Sequence, residues 1–556
     1  MLEKLTYFLN NKKNFHLIFF SLAFLLALFK IPLIINSEIQ PWDEGLYATR
    51  VLSIHINGDF WDQTSHSVGG FYSSSHPPLV IWIGYLVTSI FGVSAISLKL
   101  TIFVFAILTI YVLIKLGSEL LNQFSGIIAG LIFSSNIIFD VFSQRFQLDI
   151  HYTFFLLLSF YLFSQFYRKG KRGLLYLSAL SFGLCLMTKI LVGFFIPIVI
   201  SIFFLLDRKM LRLSQLILYI IIGLIVAAPW HIYMILKYGN NFIDYFFFYH
   251  IVQRAFEGVE HNVKQSNVLY YFNYIFSIIP YSIIFFIGIW KYIKNYKNLN
   301  WEKKFLIVWS AIAWIIISSF KTKLEAYIML ALPPVSLVIA DYLNNKNKVS
   351  TLSNQIIWFL LLLNVFWFVT YHYRSDSTLR YQYMHQFFWY LLIVIIGYIL
   401  VSILFAWWMG KKLPIQSLII YFIFVFFVGL NFTYLVDRPE WENTYRLSKI
   451  RNLVEQSNRN NVVYIGSDFR FNPQFSFYFE GLNLTWDKKK YNFMLLDTKV
   501  GIENVYESLK NLPKLQYNII VERDNINRAE YPASNSFIPA DFRLILADKG
   551  YELYQN

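Results

Sequence analysis

The chain has 556 residues, of which 57% are hydrophobic and 20% aromatic, while only 15% are charged. Its formal net charge is +15 and its mean hydropathy is +0.48. This composition excludes an ordinary soluble domain and is typical of a membrane protein. The positive charge does not indicate nucleic-acid binding, because lysines and arginines collect in short loops between apolar runs. The single cysteine, Cys185, excludes a disulfide framework and a thiolate metal site.

The first apolar run begins at Phe15 and continues through Ile35, behind a basic segment. A signal peptide is the alternative, but a small-residue cleavage site is missing, so we interpret the run as an uncleaved first span with its basic end in the cytoplasm. Apolar runs that can cross ~30 Å of hydrocarbon recur as far as about Leu435. The predicted crossings, roughly thirteen, are 15–36, 95–117, 125–141, 149–167, 173–188, 190–206, 213–235, 270–290, 304–320, 326–342, 353–372, 386–408 and 414–435.

The distribution of basic loops predicts the orientation of these spans. The loops richest in lysine and arginine, which we assign to the cytoplasm, are 168–172, 207–212, 291–304, 344–348 and 410–412. If His76–Phe91 were another full crossing, every later basic loop would move outside. We therefore predict an interfacial or half-inserted helix there, started by Pro77 and Pro78, whose fixed φ suits a first turn. A first external loop, 37–94, follows from this topology.

The polar tail, 436–556, follows a membrane domain that covers 1–435. Its strand-like runs are 462–466, 475–479, 492–496 and 517–522, and a helical run covers 501–512. This alternation predicts a small external α/β domain. Because no Walker or dinucleotide glycine pattern occurs, a recognition or stabilising module is the simplest interpretation.

Charged and polar residues gather in four segments on the predicted external face. The adjacent carboxylates Asp43 and Glu44 follow the first span, in a loop rich in aromatic residues, histidine and serine. The other three groups are Arg145 with Asp149, then His250, Arg254 and His261, and finally Lys321 with Lys323. An acidic pair at the membrane surface is where we expect chemistry.

Each group, taken singly, has a simpler explanation. A carboxylate at the end of a span can cap a helix, and external lysines can bind anionic lipid. Histidines in an aromatic loop are commonly packed interfacial residues. The combination of carboxylates and several cations on one face is what favours a phosphate-bearing substrate beside an acid–base reaction.

Six motifs occur in an order and spacing that resemble a known family. They are WDEGLYA at 42–48, GDFW at 58–61, HPPLVIWI at 76–83, LDIHYTFFLLL at 148–158, MTKILVGFFIP at 187–197 and KTKLEAYIMLALPP at 321–334. The sequence resembles the bacterial polytopic glycosyltransferases of the protein mannosyltransferase-like group (glycosyltransferase family 39), which includes the lipid A aminoarabinose transferases. The resemblance covers roughly the first 340 residues and fades in the tail.

The resemblance implies the GT-C fold, a polytopic helical membrane bundle whose first external loop carries interfacial helices and a catalytic acidic residue. It also implies a sugar donor on a polyprenyl phosphate. The family's first-loop aspartate matches Asp43, with Glu44 beside it, and its second-loop aspartate matches Asp149. The lysine of its K-T-K-L turn matches Lys323, and its loop arginine matches Arg254.

One position departs from the family pattern. His76 stands where the family usually has lysine before Pro-Pro, so contact with a donor phosphate would be weaker and dependent on pH. His76, His250 and His261 could surround a divalent ion, but their spacing is unlike a compact ligand motif. We therefore expect that no cofactor is required and that chelation leaves activity intact, with a divalent metal as the alternative.

These observations lead to the hypothesis of a monomeric glycosyltransferase of the bacterial inner membrane. It would transfer one sugar from undecaprenyl phosphate to a lipid, glycan or protein acceptor on the periplasmic side. Asp43 would be the general base or orient the acceptor, and Asp149 would hold the acceptor or the loop. The cations assigned to the departing phosphate are Arg254, Lys321 and Lys323.

Two other classes of protein are the alternatives. A transporter or flippase for a lipid-linked sugar would place charges within the spans and usually show paired halves, and neither is evident. A synthase of polyprenyl-phosphate sugars would need a cytoplasmic nucleotide-sugar site, for which the cytoplasmic loops are too short.

Overall fold

The structure is a computed structural model that describes the greater part of the chain. The described residues are 8–64, 70–207, 211–257, 268–344, 351–375, 399–404, 406–407, 415–436, 447–457, 461–466, 473–479, 492–497, 507, 518–522, 542–548 and 551–555.

Helices dominate the described residues before position 436. In chain order they are α1 (Phe15–Ile35), α2 (Asp43–Asn57), α3 (Leu79–Phe91), α4 (Ala95–Leu120), α5 (Gln123–Ser134), α6 (Ile137–Phe142), α7 (Leu148–Lys169), α8 (Arg172–Leu186), α9 (Ile190–Gly193), α10 (Phe195–Leu206), α11 (Leu213–Tyr238), α12 (Asn240–Ile243), α13 (Arg254–Phe256), α14 (Tyr270–Ile278), α15 (Ile283–Lys294), α16 (Trp301–Ser319), α17 (Leu332–Asn344), α18 (Thr351–Ser375) and α19 (Ile415–Val436). A one-turn helix covers Gly70–Ser73, a π-helical segment covers Asp244–Gln253, and a 3₁₀ turn covers Glu325–Leu330. The predicted polytopic helical bundle is confirmed.

The described helices agree with most of the predicted spans. By length and composition, three are sufficient to cross a membrane unbroken: Lys12–Ile35, Ala95–Leu120 and Leu213–Tyr238. Others are interrupted, as at Asn136 between α5 and α6, whose side chain accepts a hydrogen bond from the Ile138 amide at 2.9 Å and so starts a new helix. The predicted span 386–408 lies largely outside the described residues. The number of crossings stays a prediction.

Helix α3 is the segment that we predicted to be interfacial. It begins directly after Pro78 and has 13 residues. At 1.5 Å per residue its length is about 20 Å, which is too short for ~30 Å of hydrocarbon. Its last residues, Ile90 and Phe91, are each 76% exposed. These dimensions suit a helix lying at the edge of the bilayer.

Small residues allow α4 and α5 to approach closely. A Cβ atom added to Gly126 would lie 2.4 Å from the carbonyl oxygen of Ile114, and one added to Gly117 would lie 2.7 Å from Gly126 Cα. Membrane helices associate through such small-residue contacts, because apolar side chains gain little by leaving lipid. A larger side chain at either glycine would separate the two helices.

A buried ion pair joins α1 to α6. Lys30 Nζ donates to the carboxylate of Asp140, and these residues are 1% and 0% exposed. The amide of Gln144 also donates to the Asp140 carbonyl, at 3.0 Å. Breaking a buried pair is costly because it leaves one charge unpaired. The pair therefore fixes the turn that leads to α7, where Asp149 lies.

The tail contains the expected α/β elements. Its described elements are α20 (Leu447–Gln456), β1 (Asn461–Gly466), α21 (Gln474–Tyr478), β2 (Asn492–Asp497), β3 (Asn518–Glu522), β4 (Arg543–Asp548) and β5 (Tyr551–Gln555). The sheet order is β2-β1-β3-β5-β4, in which β1 is parallel to β2 and β3, and β5 is antiparallel to β3 and β4.

One predicted strand of the tail is wrong. The run 475–479 belongs mainly to α21, which packs against α2. A short continuous apolar run has no distinguishing period, so burial on a helical partner decides its conformation. The predicted helix 501–512 lies outside the described residues except for Glu507.

Candidate active site

A cavity of about 520 Å³ opens where α2 begins. Its walls come from the 37–94 segment, the start of α9, the π-helical segment and the turn after α16. The lining residues are Trp42, Asp43, Leu46, Tyr72, Ser75, His76, Lys189, Ile190, Leu191, His250, Ile251, Ala255, Phe320, Thr322, Leu324 and Tyr327. Mostly apolar walls with a few convergent polar groups are usual for a small-molecule site.

Asp43 is the first residue of α2 and an exposed residue of the cavity wall. Trp42, directly before it, has φ 62° and ψ −129°, the one positive φ at a non-glycine residue in the described part of the chain. Such a conformation is strained for a side chain with a Cβ atom, and strain of this kind is common at functional sites. The first helical turn also favours a negative charge at Asp43.

Glu44 points elsewhere, although it is adjacent to Asp43. Its carboxylate is fully buried, accepts hydrogen bonds from the backbone amides of Gln40 and Phe146, both at 2.8 Å, and lies 3.2 Å from Lys99 Nζ. It is not among the described residues that line the cavity. This geometry supports a structural role for Glu44 and does not support the predicted catalytic one.

Tyr47 connects the two predicted aspartates electrostatically. Burial raises the pKa of Tyr47 well above 10.0, and the negative charges of Asp43 and Asp149 raise it further. A phenol with a raised pKa stays protonated near neutral pH, so it can donate a hydrogen bond but cannot act as a base. Asp43 and Asp149 are therefore parts of one electrostatic environment.

Asp149 reaches the cavity through a lysine that is not among the predicted site residues. Lys189 lines the cavity, and its Nζ lies 3.4 Å from Asp149 Oδ1. The same ammonium lies 5.5 Å and 5.2 Å from the ring centroids of Tyr152 and Tyr327. The side chains of Lys189 and Asp149 are only 15% and 8% exposed. The available signal was the position of Lys189 within the motif at 187–197.

Two histidines meet across the cavity. The rings of His76 and His250 are 4.8 Å apart between centroids, with an interplanar angle of 75°. Both line the cavity, and the ring of Tyr47 lies 6.2 Å from that of His76. The structure thus brings together two of the three histidines considered for a site, while His261 lies outside the described residues.

A buried arginine, also missed at the sequence level, supports this wall. Arg50 Nε and Nη2 donate to Gln63 Oε1 at 3.2 and 3.0 Å, and Nη1 donates to the His76 carbonyl at 3.2 Å. Burial lowers the pKa of Arg50 to about 10, so the guanidinium remains charged at neutral pH. Arg50 therefore ties α2 to the backbone of His76.

The two lysines of the K-T-K turn are not among the described residues that line the cavity. Lys323 Nζ donates to the carbonyls of Ile317 and Ser318 at 3.0 and 2.7 Å, which satisfies the C-terminal end of α16, and burial lowers its pKa. Lys321 is exposed, and its backbone amide donates to Ala255 at 2.9 Å. This geometry does not support the predicted phosphate contact of either lysine.

Arg254 and Arg145 are the remaining predicted site residues. Arg254 begins α13, but its side chain lies outside the described part of the chain. Arg145 acts electrostatically on Glu325, beside the K-T-K turn.

Among the residues that the structure describes, no group of three or more histidines, cysteines, aspartates or glutamates could hold a metal ion. The cofactor prediction stays a prediction.

Comparison with known proteins gives a family match for part of the chain. Residues 75–233 match the family model described as dolichyl-phosphate-mannose-protein mannosyltransferase. Two uncharacterized proteins of Aquifex aeolicus are 26% identical over 333 residues and 27% identical over 331 residues. Each match covers 58% of this chain, and the matches span 63% and 73% of the relatives.

Solved structures match nearly the whole chain. ArnT from Cupriavidus metallidurans, solved bound to undecaprenyl phosphate, has a TM-score of 0.66 at 16% identity, over 98% of each chain. The oligosaccharyltransferase of Archaeoglobus fulgidus, tethered with an acceptor peptide, has a TM-score of 0.50 at 13% identity, over 92% of this chain and 69% of that one. The predicted resemblance is thus confirmed, and the chain has the GT-C fold, similar to ArnT throughout and to the protein mannosyltransferases in residues 75–233.

Proposed function

We propose that this protein is a glycosyltransferase that moves one sugar from a polyprenyl-phosphate carrier to a hydroxyl group of a lipid, glycan or protein acceptor. The observation that carries the proposal is a cavity lined by both an exposed carboxylate, Asp43, and an ammonium group, Lys189. Transfer of this kind needs a base for the attacking hydroxyl and a cation for the departing phosphate. The fold shared with ArnT, which was solved with undecaprenyl phosphate, supports the lipid carrier.

The reaction is a direct displacement at the anomeric carbon. The acceptor oxygen forms a bond to that carbon while the bond from the carbon to the phosphate oxygen breaks and its electron pair leaves with the phosphate. Asp43 takes the proton of the acceptor hydroxyl, because its carboxylate lies exposed on the cavity wall. A single displacement inverts the configuration of the sugar.

Lys189 takes the role that sequence reasoning gave to the K-T-K lysines. Its ammonium is held by Asp149 and by two tyrosine rings, so its position is fixed before the donor binds. A preorganised cation stabilises negative charge that develops on the phosphate without reorganisation during the reaction. Asp149 then positions Lys189 and does not itself act on the acceptor.

The cavity opens at the end of the bundle that carries the 37–94 segment. We place this end on the periplasmic side of the inner membrane, because the basic loops at the other end fit the cytoplasm. The donor would enter from the outer leaflet with its phosphate at Lys189. The acceptor would reach Asp43 from the external face.

A transfer assay tests the proposal. The full chain in nanodiscs is given radiolabelled undecaprenyl-phosphate sugars one at a time, with an envelope extract as the source of acceptors. We expect label on one acceptor fraction and a loss of at least about 10²-fold in rate for Asp43→Asn. Asp244→Asn is the matched control, because Asp244 is exposed and is not among the described residues that line the cavity.

Two results would contradict the proposal. If Asp43→Asn transferred sugar at the wild-type rate, Asp43 would not be the general base. Movement of labelled lipid between leaflets of proteoliposomes, with no donor consumed, would instead identify a transporter.

A further inference from the structure

The segment that carries Asp43 is held at several points by the C-terminal domain, which is the α/β tail described above. The backbone amide of Ile39 donates to Tyr478 Oη at 3.0 Å, and Tyr478 is 4% exposed. Before it in the chain, Glu38 accepts hydrogen bonds at the start of α20, from the amides of Leu447 at 2.5 Å and Ser448 at 3.1 Å. The carboxylate caps that helix as a side-chain acceptor at its N-terminus.

Helix α2 itself touches the C-terminal domain on the other side of Asp43. A Cβ atom added to Gly45 would lie 2.5 Å from the backbone nitrogen of Gln474. Thr49 Oγ1 lies 3.0 Å from the Pro473 carbonyl and 2.8 Å from the Gly45 carbonyl, to one of which it donates. Gly45 and Thr49 are one turn apart on a single face of the helix.

The cavity lies on a different face of α2. At about 100° per residue, the direction midway between Asp43 and Leu46 lies roughly 110° around the helix axis from the direction midway between Gly45 and Thr49. Both Asp43 and Leu46 line the cavity. The C-terminal domain thus supports one face of the helix, while a different face carries the carboxylate at the cavity.

The contacts enclose the strained residue Trp42. Its φ of 62° and ψ of −129° fall where L-residues are rarely found. Such a conformation persists only when the surrounding structure constrains it. Glu38 and Ile39, before Trp42 in the chain, contact the C-terminal domain. Gly45 and Thr49, after Trp42, contact it as well.

We propose that the C-terminal domain holds the Trp42–Asp43 backbone in its strained conformation and thereby fixes the Asp43 carboxylate at the cavity. Thr49 and Tyr478 are positioning residues of this contact. The inference rests on the proposed function for its kinetic consequence, while the docking itself is independent of it. Small displacements of a catalytic group have large kinetic effects, because the productive geometry is narrow.

The test uses full-length variants that remove single hydroxyl groups. Thr49→Val and Tyr478→Phe lose the contacts, whereas Thr49→Ser keeps the hydroxyl. Thr101→Val is the matched control, because Thr101 Oγ1 makes the same type of bond, to the Ser97 carbonyl at 2.9 Å, and Thr101 is also buried. Donor KM, kcat, the thermal midpoint and hydrogen exchange of the peptide that covers 39–49 are measured for each variant.

We expect Thr49→Val and Tyr478→Phe to lower kcat about tenfold while donor KM changes by less than about twofold. Exchange in 39–49 should become faster, Thr49→Ser should behave like the wild type, and the thermal midpoint should match that of Thr101→Val. Unchanged exchange together with unchanged kcat would overturn the inference. If the wild type transfers no sugar, the proposed function falls, and the exchange data alone decide whether the C-terminal domain holds Trp42 and Asp43.

Discussion

Replacing Glu44 by glutamine should lower the stability of the protein, while the folded fraction should still transfer sugar. The change keeps the shape of the side chain but removes its charge. Lys99 Nζ, 3.2 Å away, would then lose the carboxylate of Glu44 as its counter-ion. Both groups are buried, because the side chains of Glu44 and Lys99 are 0% and 2% exposed. One of the backbone amides of Gln40 and Phe146 would also face an NH₂ group in place of an oxygen.

The size of the effect follows from the loss of a buried pair. Removing one partner of such a pair costs about 3–5 kcal/mol. The entropy of unfolding is about 2.1 cal/mol/K per residue, or roughly 1.2 kcal/mol/K for 556 residues. The thermal midpoint should therefore fall by about 3–4 °C. A second change, Lys99→Met, should recover much of this loss, because an apolar pair of similar volume leaves no unpaired charge.

The assay compares the thermal midpoint and the transfer rate of Glu44→Gln with those of the Glu44→Gln/Lys99→Met double variant. Below the midpoint, we expect the folded fraction of both to retain transfer. A Glu44→Gln protein with a wild-type midpoint and no transfer would refute this reasoning. It would restore the role as a catalytic carboxylate that adjacency to Asp43 suggests.

Three further results are expected. Lys189→Gln should lower the transfer rate by about 10²-fold. Lys321→Gln should leave the rate unchanged, because Lys321 is exposed and outside the described cavity lining. Equal losses of rate in the two variants would contradict the assignment of the phosphate contact to Lys189. Burial raises the pKa of Asp62, but hydrogen bonds from Lys237 and Tyr238 outweigh it, so the folded-state pKa lies below 3.8. The stabilisation by Asp62 is therefore complete above pH 3.8 and is lost as the pH falls through the folded-state pKa. The difference in thermal midpoint between wild type and Asp62→Asn should be constant near neutral pH and shrink in acid. A difference that grows in acid would contradict this direction of the pKa shift. Chelation by EDTA should leave transfer intact, and activity restored only by an added divalent ion would show a metal requirement.

The helical bundle was predictable because it depends on local patterns. Hydropathy and basic loops suffice to locate α1 and α4 within a few residues, since a membrane helix satisfies its own backbone hydrogen bonds. The division of other spans depends on single polar residues such as Asn136, whose capping role is visible only in three dimensions.

The candidate site was only partly predictable, because its contacts join distant parts of the chain. Asp43 was found from its place in a polar loop after a span, but neighbours in a helix point about 100° apart, so Glu44 diverges from it. Lys99 and Glu44 are separated by 55 positions, and no local pattern pairs them. Lys189 follows Thr188 and precedes an apolar run, and this sequence context does not distinguish a cavity wall from a packed interior.

The contact between Ile39 and Tyr478 spans 439 positions of the chain. Residue 39 leaves the ribosome early, whereas residue 478 follows only after the membrane bundle has been made. Contacts of such sequence separation form late, because they require the intervening chain to be ordered. A nascent chain can therefore insert its spans while the segment around Asp43 is still unsupported. The order of synthesis would keep the enzyme inactive until the domain that contains Tyr478 has emerged and docked.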